Sequence, residues 1–316
     1  MMLPTELDDR TILAERPDRH EVSQWEPYAF LVEDEHSPCG KPESVATLFL
    51  ANRECPFRCL MCDLWKNTLA RTVSLGAIPH QIEFALWRLE PAKHIKLYNS
   101  GNFFDSKAIP SEDHPAIATL VQNYETVIVE NHPNLTGPVC QEFQRRIPGQ
   151  LEVALGLETV HSEVLKSLNK RMTVSDFDRA TEFLDTSGIA IRAFILLKPP
   201  FLGDGEAEEW CLRSIAHAFD HGARVCSIIP TRSGNGIMER LERAEMFSPP
   251  QLTSLERVCD VALRWNRGRV FVDLWDARKF TDCANCADDR IARLQRMNLT
   301  QQVVSRVECE QCGGSA

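Results

Sequence analysis

Short apolar segments alternate with segments of helical spacing over much of this 316-residue chain, and no other feature constrains its fold as strongly. The apolar segments predict six strands, at 44–52, 94–99, 126–130, 151–157, 189–197 and 223–229. Most of them lack regularly alternating polar residues, which is typical of strands that are buried on both faces of a parallel sheet. Strands that alternate with helices indicate consecutive βαβ units. The sequence therefore predicts an α/β fold, a partial (βα)6 barrel.

The segments between the strands predict helices, two of them with clear ends. At 206–221 the apolar residues share one helical face, and the following glycine provides a stop. A second helix is expected to begin at Thr173 or Ser175, each followed three residues later by an aspartate as in a capping box, and to end at Gly188. A further helix at 249–266 and an apolar run at 269–275 follow the six units.

Three regions are predicted along the chain. Residues 1–43 are expected to form an N-terminal arm, 44–245 the partial barrel, and 246–316 a small C-terminal extension. The N-terminus is charged and has no apolar leader segment, and the apolar runs are too short to span a bilayer. We therefore expect a cytoplasmic protein with no membrane contact. In a reducing cytoplasm, clustered cysteines bind metal or carry out chemistry more often than they form disulfides.

The first cysteine cluster follows the first predicted strand. In NRECPFRCLMCDLW, Cys55, Cys59 and Cys62 form a C-x3-C-x2-C pattern. Three thiolates at this spacing can each ligate a different iron of one 4Fe–4S cluster, and the fourth iron then keeps an open position for another ligand. A structural zinc ion normally takes four protein ligands, often from paired C-x2-C knuckles, so the pattern fits zinc poorly. These three cysteines are the predicted catalytic cluster ligands.

Other candidate site residues follow the ends of later strands, because α/β barrels bind their ligands at the carboxyl ends of the strands. The turn NSGNFFD after the second strand contains Ser100, Gly101 and Asn102. The fourth strand ends on Glu158, which is interpreted either as a cofactor-binding carboxylate or as a solvent-facing residue before a helix. Thr231 follows the sixth strand and is a candidate for the rim of the site.

The tail contains two C-x2-C pairs separated by a segment that is typical of a helix, DDRIARLQRMNLTQQ. The four thiols are those of Cys283, Cys286, Cys309 and Cys312. Two such knuckles make the four-thiolate tetrahedron of structural zinc, so we favour a four-cysteine zinc site. An auxiliary Fe–S cluster is the main alternative, and free thiols are the other.

The scattered cysteines and a basic patch are interpreted as structural features rather than as parts of a site. The five scattered cysteines, Cys39, Cys140, Cys211, Cys226 and Cys259, are expected to be small buried apolar residues, with Cys226 the one candidate hydrogen donor among them. The basic patch of Lys166, Lys170 and Arg171 is expected to be a solvated helix end. The formal net charge of −10 argues against a large nucleic-acid footprint.

Several longer motifs together resemble a known family. The segments CPFRCLMCDLW, NSGNFFD, LEVALGLET with SLNKRMT, and RAFILLKPPFL are similar to the radical S-adenosylmethionine (SAM) superfamily. Within it they resemble the group that contains the archaeosine-forming tRNA radical SAM subunit, which is distantly similar to the Elongator catalytic subunit. The resemblance covers roughly residues 44–245.

The resemblance implies a fold and a set of cofactor contacts. It implies a partial (βα)6 barrel, a 4Fe–4S cluster on Cys55, Cys59 and Cys62, and SAM bound at the open iron. Contacts to SAM are implied for Ser100, Gly101 and Glu158, and Met61 takes the apolar position beside the adenosyl group. Reductive cleavage of SAM would then yield a 5′-deoxyadenosyl radical that abstracts hydrogen from a substrate.

The leading hypothesis is thus a radical SAM enzyme acting on a nucleoside, a modified tRNA base or a related metabolite. A flavodoxin or ferredoxin is the expected electron donor, and tRNA is a candidate partner. The alternative within enzymes is radical sulfur insertion, with an auxiliary Fe–S cluster in the tail as the sulfur source. The alternative from another class is a non-catalytic Fe–S or zinc protein that acts as a sensor or scaffold.

Overall fold

The computed structural model describes residues 7–281 and 283–312, and a single eight-stranded sheet lies at its centre. The strands are β1 (Ala29–His36), β2 (Pro42–Phe49), β3 (His94–Tyr98), β4 (Thr126–Asn131), β5 (Gln150–Glu158), β6 (Ala190–Leu197), β7 (Val225–Pro230) and β8 (Arg269–Val272). They lie in the sheet in the order in which they occur along the chain. β1 pairs antiparallel with β2, and every later neighbouring pair is parallel.

Helices connect the parallel strands. They are α1 (Asp9–Ala14), α2 (Ala77–Leu86), α3 (His114–Leu120), α4 (Pro138–Gln144), α5 (Ser162–Ser167), α6 (Val174–Thr186), α7 (Asp204–Asp220), α8 (Ile237–Arg243), α9 (Leu252–Arg264) and α10 (Ala287–Thr300). Each crossover from β2 to β8 contains at least one of them. The α/β partial barrel predicted from the sequence is confirmed. Within the described residues, each helix is too short or too polar to cross a membrane.

Helix α6 illustrates how local sequence sets the ends of an element. The Thr173 side chain accepts a hydrogen bond from the backbone N–H of Asp176, and the Asp176 carboxylate accepts one from the backbone of Thr173. This capping box satisfies two backbone donors that the first turn leaves without helical partners. Gly188 follows the helix with a φ of +69°, a conformation that glycine adopts without steric cost. The predicted start at Thr173 and the predicted end near Gly188 are both confirmed.

Two strands extend the sheet beyond the six predicted units. β1 comes from the N-terminal arm and β8 from the C-terminal extension, so both segments outside 44–245 contribute to the same sheet as the barrel. The free edge of β8 is covered by side-chain amides of Asn298, in α10, and of Gln301, directly after it. Gln301 exchanges two hydrogen bonds with the backbone of Val270 at 2.6 and 2.9 Å, and Asn298 exchanges two with Val272 at 2.9 Å each. The proposed domain boundaries remain predictions.

The concave side of the sheet contains a network of buried charges toward the amino-terminal ends of the strands. Arg192 of β6 donates to Glu152 of β5 and to Glu35 of β1, each at 2.6 Å. Lys96 of β3 also pairs with Glu35, at 2.6 Å. Burial alone would raise the pKa of Glu35, but Arg192 and Lys96 outweigh it and hold that pKa well below its usual range. The network joins β1 across the barrel to strands that are not its neighbours.

The interpretation of the scattered cysteines holds for four of the five. Cys140, Cys211, Cys226 and Cys259 are buried, whereas Cys39 is exposed and donates to Glu43 Oε2 at 3.1 Å. Cys226 faces α7 rather than the barrel mouth, since its sulfur lies 3.9 Å from the Ile215 carbonyl. That contact removes Cys226 as a candidate hydrogen donor.

Candidate cofactor site at the mouth of the barrel

The loop that carries Cys55, Cys59 and Cys62 leaves the carboxyl end of β2 and is fixed in place by backbone contacts. The Leu60 N–H donates to the Leu168 carbonyl at 2.8 Å. The Asn235 side-chain amide donates to the carbonyls of Leu60 at 2.8 Å and Cys62 at 3.1 Å. Leu60 is fully buried, whereas the three cysteines are half-buried. The loop therefore presents its cysteines at the mouth on a fixed backbone.

The pKa values of these three thiols are raised by their surroundings. Burial raises the pKa of Cys59 to about 12, against an opposing effect from Lys170, and burial also raises the pKa of Cys55 and Cys62. A thiol must be deprotonated to ligate a metal. The three thiols lie on one loop at the C-x3-C-x2-C spacing and can each ligate a different iron. The residues present therefore fit a three-cysteine Fe–S cluster.

The turn after β3 lies against the cysteine loop. The Asn102 side-chain amide donates to Cys55 Sγ at 3.1 Å. Gly101 is also close, because a Cβ added there would lie 3.5 Å from the Cβ of Cys55. The structure thus brings together two segments that are separated by the whole of the first βα unit.

Glu130, at the end of β4, holds this turn in shape. One of its carboxylate oxygens accepts hydrogen bonds from the backbone N–H of Asn99 at 2.7 Å and of Gly101 at 3.2 Å. Burial raises the pKa of Glu130, while these backbone amides act against the rise. Sequence reasoning did not assign Glu130 a role. The available signal was a carboxylate closing an otherwise apolar strand, TVIVE.

The N-terminal arm contacts the same turn. Ser100 has a φ of +53°, and its hydroxyl lies 2.8 Å from the hydroxyl of Tyr28. Burial raises the pKa of Tyr28 to about 12, so this phenol is protonated at neutral pH. Glu54, directly before Cys55, pairs with Arg16 of the arm at 2.7 Å. The arm therefore packs against both segments of the candidate site.

Glu158 and Lys170 form a buried ion pair at the same mouth. Lys170 Nζ donates to Glu158 Oε1 at 2.6 Å, and both side chains are less than 10% exposed. Burial lowers the pKa of Lys170, but Glu158 and Cys59 outweigh this and raise it above its usual value. Gly156 makes room for the pair, because a Cβ at that position would collide with both charged groups. The interpretations of Glu158 as solvent-facing and of Lys170 as solvated are both wrong.

Met61 and Thr231 lie near the mouth in supporting positions. Met61 is half-buried and packs against two small apolar clusters, one of which contains Leu196 at the end of β6. The Thr231 hydroxyl and backbone N–H both donate to the Leu197 carbonyl, at 2.9 and 3.1 Å. These contacts join the ends of β6 and β7. The proposed contacts of Met61 and Thr231 with a cofactor remain predictions.

His132 is held in a structural role. Its ring stacks on Phe57 of the cysteine loop with centroids 3.8 Å apart. Its Nδ1 accepts from the Asn134 N–H at 3.1 Å, so its Nε2, 3.0 Å from the Lys170 carbonyl, carries the proton and donates. Burial, with Lys170, lowers the pKa of His132 to about 3, which keeps the ring neutral. His132 thereby orients the loop and the buried lysine.

The tail brings its four cysteines together at one small site. The sulfurs of Cys283 and Cys309 lie 3.9 Å apart, those of Cys286 and Cys312 lie 3.8 Å apart, and all four lie within 4.8 Å of one another. Helix α10 begins directly after Cys286. It is fixed to α9 by two buried ion pairs, Arg290 with Glu256 and Arg293 with Asp260, each at 2.6 Å. The predicted helix between the two C-x2-C pairs is confirmed.

No family model matches the chain. Among curated proteins, it is 25% identical over 271 residues to an uncharacterised protein of Methanocaldococcus jannaschii, a match that covers 80% of this chain and 74% of that protein. It is 26% identical to archaeosine synthase subunit beta of Methanosarcina acetivorans, over 80% of this chain and 77% of the relative. It is also 26% identical to the same subunit of Thermococcus kodakarensis, over 78% of this chain and 76% of that protein.

Solved structures with a similar fold include a radical SAM protein. Methylornithine synthase superposes with a TM-score of 0.53 at 13% identity, over 80% of this chain and 69% of that one. A radical SAM methyltransferase from Sphaerobacter thermophilus superposes with a TM-score of 0.52 at 14% identity, over 78% of this chain and 77% of that one. The chain has the radical SAM fold.

An archaeal Elp3 from Methanocaldococcus infernus shares that fold with a TM-score of 0.50 at 15% identity, over 75% of this chain and 60% of the Elp3 chain. The fold that the sequence resemblance implies is thereby confirmed.

Proposed function

We propose that this protein is a radical SAM enzyme with its cluster on Cys55, Cys59 and Cys62 and its SAM site at the mouth of the barrel. The observation that carries the proposal is the Asn102–Cys55 contact of 3.1 Å, which sets the turn after β3 directly beside the cysteine loop. A 4Fe–4S cluster bound there would supply one electron to SAM and release a 5′-deoxyadenosyl radical that abstracts a hydrogen atom.

The charges at the mouth suit the amino-acid part of SAM. That part carries one ammonium and one carboxylate group. Glu158 offers a buried negative charge for the ammonium, and Lys170 offers a buried positive charge for the carboxylate. A buried charge is stabilised when it is paired and hydrogen-bonded, so a zwitterion that contacts both residues keeps their charges compensated. Glu130 accepts a hydrogen bond from the Gly101 N–H and so holds the turn at Ser100 and Gly101 in shape beside the cysteine loop.

The proposed substrate is a nucleoside, a modified tRNA base or a related metabolite. Two relatives with 26% identity are archaeosine synthase beta subunits, which supports a substrate of the nucleoside class. The net charge of −10 makes a small substrate, or a short contact with tRNA, more consistent with this chain than an extended RNA footprint. A flavodoxin or ferredoxin is the proposed electron donor.

We propose a single zinc ion at the C-terminal cysteines. A tetrahedron with Zn–S bonds of about 2.3 Å has sulfur–sulfur edges of about 3.8 Å, which matches the spacings of 3.8 and 3.9 Å. A 4Fe–4S cluster places each thiolate on a different iron at the corners of a cube, and its sulfurs therefore stand farther apart. The spacing argues against an auxiliary cluster, and so against the sulfur-insertion alternative.

Metal analysis tests both assignments together. Anaerobically reconstituted protein is expected to contain about four irons and one zinc per chain. Changing Cys55, Cys59 and Cys62 together to alanine should remove the iron and leave the zinc, whereas Cys39→Ala, which changes an exposed cysteine, should alter neither. About eight irons and no zinc would contradict the tail assignment and favour sulfur insertion.

The substrate class is tested in cells. Nucleosides from digested tRNA and extracts of small metabolites should be compared between a strain lacking this protein and its parent. A modified nucleoside, or a precursor of one, should change in amount in the deletion strain. A change confined to compounds without a nucleobase would contradict the proposed substrate.

A further inference from the structure

A further cluster of side chains that can bind a metal lies on α6 and at the end of α7, apart from both cysteine sites. His217 and His221 lie four residues apart at the end of α7 and so share one helical face, and Asp178 faces them from α6. One ligand atom from each lies within 4.8 Å of the other two. The Nε2 atoms of His217 and His221 lie 2.7 and 3.7 Å from the same carboxylate oxygen, Oδ1 of Asp178.

The hydrogen bonding of His221 fixes which of its nitrogens is free. Its Nδ1 lies 2.9 Å from the His217 carbonyl oxygen, which only accepts, so Nδ1 carries the proton. In the neutral ring, Nε2 then has an unshared electron pair directed toward the carboxylate of Asp178. A backbone carbonyl that holds the other ring nitrogen is also the usual support of a metal-bound histidine.

This cluster is accessible to solvent, and ring contacts hold its histidines in place. The three side chains are 24–35% exposed, so an ion reaches them from solvent. The two imidazole rings stack with centroids 4.0 Å apart, and Phe177 lies beside the ring of His217 at 6.4 Å. Asp185 adds a further carboxylate next to Gly222, directly after His221.

We propose that Asp178, His217 and His221 bind a divalent ion of the zinc class, with water as the fourth ligand. Two imidazole nitrogens and one carboxylate oxygen suit zinc, which binds such donors at about 2.0–2.2 Å in a tetrahedral arrangement. On binding, the ion takes the place of the proton on Nε2 of His217, and the ring binds as the neutral tautomer with its proton on Nδ1. The ion then joins α6 to α7, two helices that enclose β6.

Zinc binding to the holoprotein tests this proposal without measuring activity. Protein without an affinity tag, carrying its iron cluster and its C-terminal zinc, is dialysed against micromolar zinc and then analysed for metal. Wild type should retain one zinc per chain more than His217→Ala or His221→Ala. His80→Ala, which removes an exposed histidine on α2, is the matched control and should retain the extra ion.

Asp178→Asn keeps the size of the residue and one accepting oxygen but removes its charge. This variant serves as the test if a histidine variant folds poorly. It should bind the extra zinc at least tenfold more weakly than wild type. Zinc should also raise the melting temperature of wild type and of His80→Ala but not that of the cluster variants. Equal zinc retention in wild type and all the cluster variants would overturn the proposal.

Discussion

The amide of Asn102 matters because of the atom to which it donates. Its hydrogen bond to Cys55 Sγ is directed at a proposed cluster ligand, and hydrogen bonds to ligand sulfurs are one determinant of the potential of an Fe–S cluster. An N–H donor stabilises the more negative, reduced state. The effect of this residue is therefore expected on the cluster potential rather than on cluster assembly.

Asn102→Ala should keep about four irons at the three-cysteine site but lower its midpoint potential, on the order of tens of millivolts. Anaerobic redox titration followed by electron paramagnetic resonance measures the shift. Asn123→Ala, an exposed asparagine elsewhere, is the matched control. An unchanged potential in an Asn102 variant with a complete cluster would show that this hydrogen bond does not influence the site.

Glu158 is the second residue whose charge is open to a direct test. Glu158→Gln keeps the size of the side chain, leaves Lys170 without its carboxylate partner, and removes a charge-assisted hydrogen bond to SAM. Such bonds contribute about 1.5–3 kcal/mol, so the dissociation constant for SAM should rise about tenfold or more. Calorimetric titration of the anaerobic, cluster-loaded protein measures this constant, with Glu163→Gln, a change to an exposed residue of α5, as the control. Unchanged affinity would leave Glu158 a structural residue only.

Helix α10 connects the tail site to the barrel. It begins directly after Cys286, and buried ion pairs fix its middle to α9. At its C-terminal end, the side chains of Asn298 and Gln301 form hydrogen bonds with the backbone at the free edge of β8. Exposed strand edges favour unwanted pairing with other chains. A metal that orders the start of α10 therefore also helps to protect the sheet edge.

Cys286→Ser and Cys312→Ser should each lose the zinc and make α10 sensitive to protease. Binding of structural zinc is worth roughly 10–16 kcal/mol in zinc-finger peptides, so losing one thiolate should loosen the whole segment. Limited proteolysis with mass spectrometry locates the cuts, and cluster absorbance should persist because Cys55, Cys59 and Cys62 lie elsewhere. Cys39→Ser should behave as wild type. Tail thiols that alkylate freely in the native wild-type protein would refute a metal site.

At the scale of the whole molecule, the sequence predicts the parallel core well because strands buried on both faces are continuously apolar. It misses β1, whose inward face carries Glu33 and Glu35 and which therefore looks polar. It also misses Lys170, which meets Glu158 only because the chain turns back through α5. Long-range pairing of charges depends on the folded geometry, and no local pattern in the sequence reports it.

Cleavage of SAM tests the central claim most directly. Anaerobically reconstituted protein, given SAM and dithionite, should form 5′-deoxyadenosine, measured by chromatography with mass detection. The variant with Cys55, Cys59 and Cys62 all changed to alanine should form none, while Cys39→Ala should match wild type. Undiminished 5′-deoxyadenosine from the triple variant, or a fully loaded wild-type cluster that leaves SAM intact, would contradict the account.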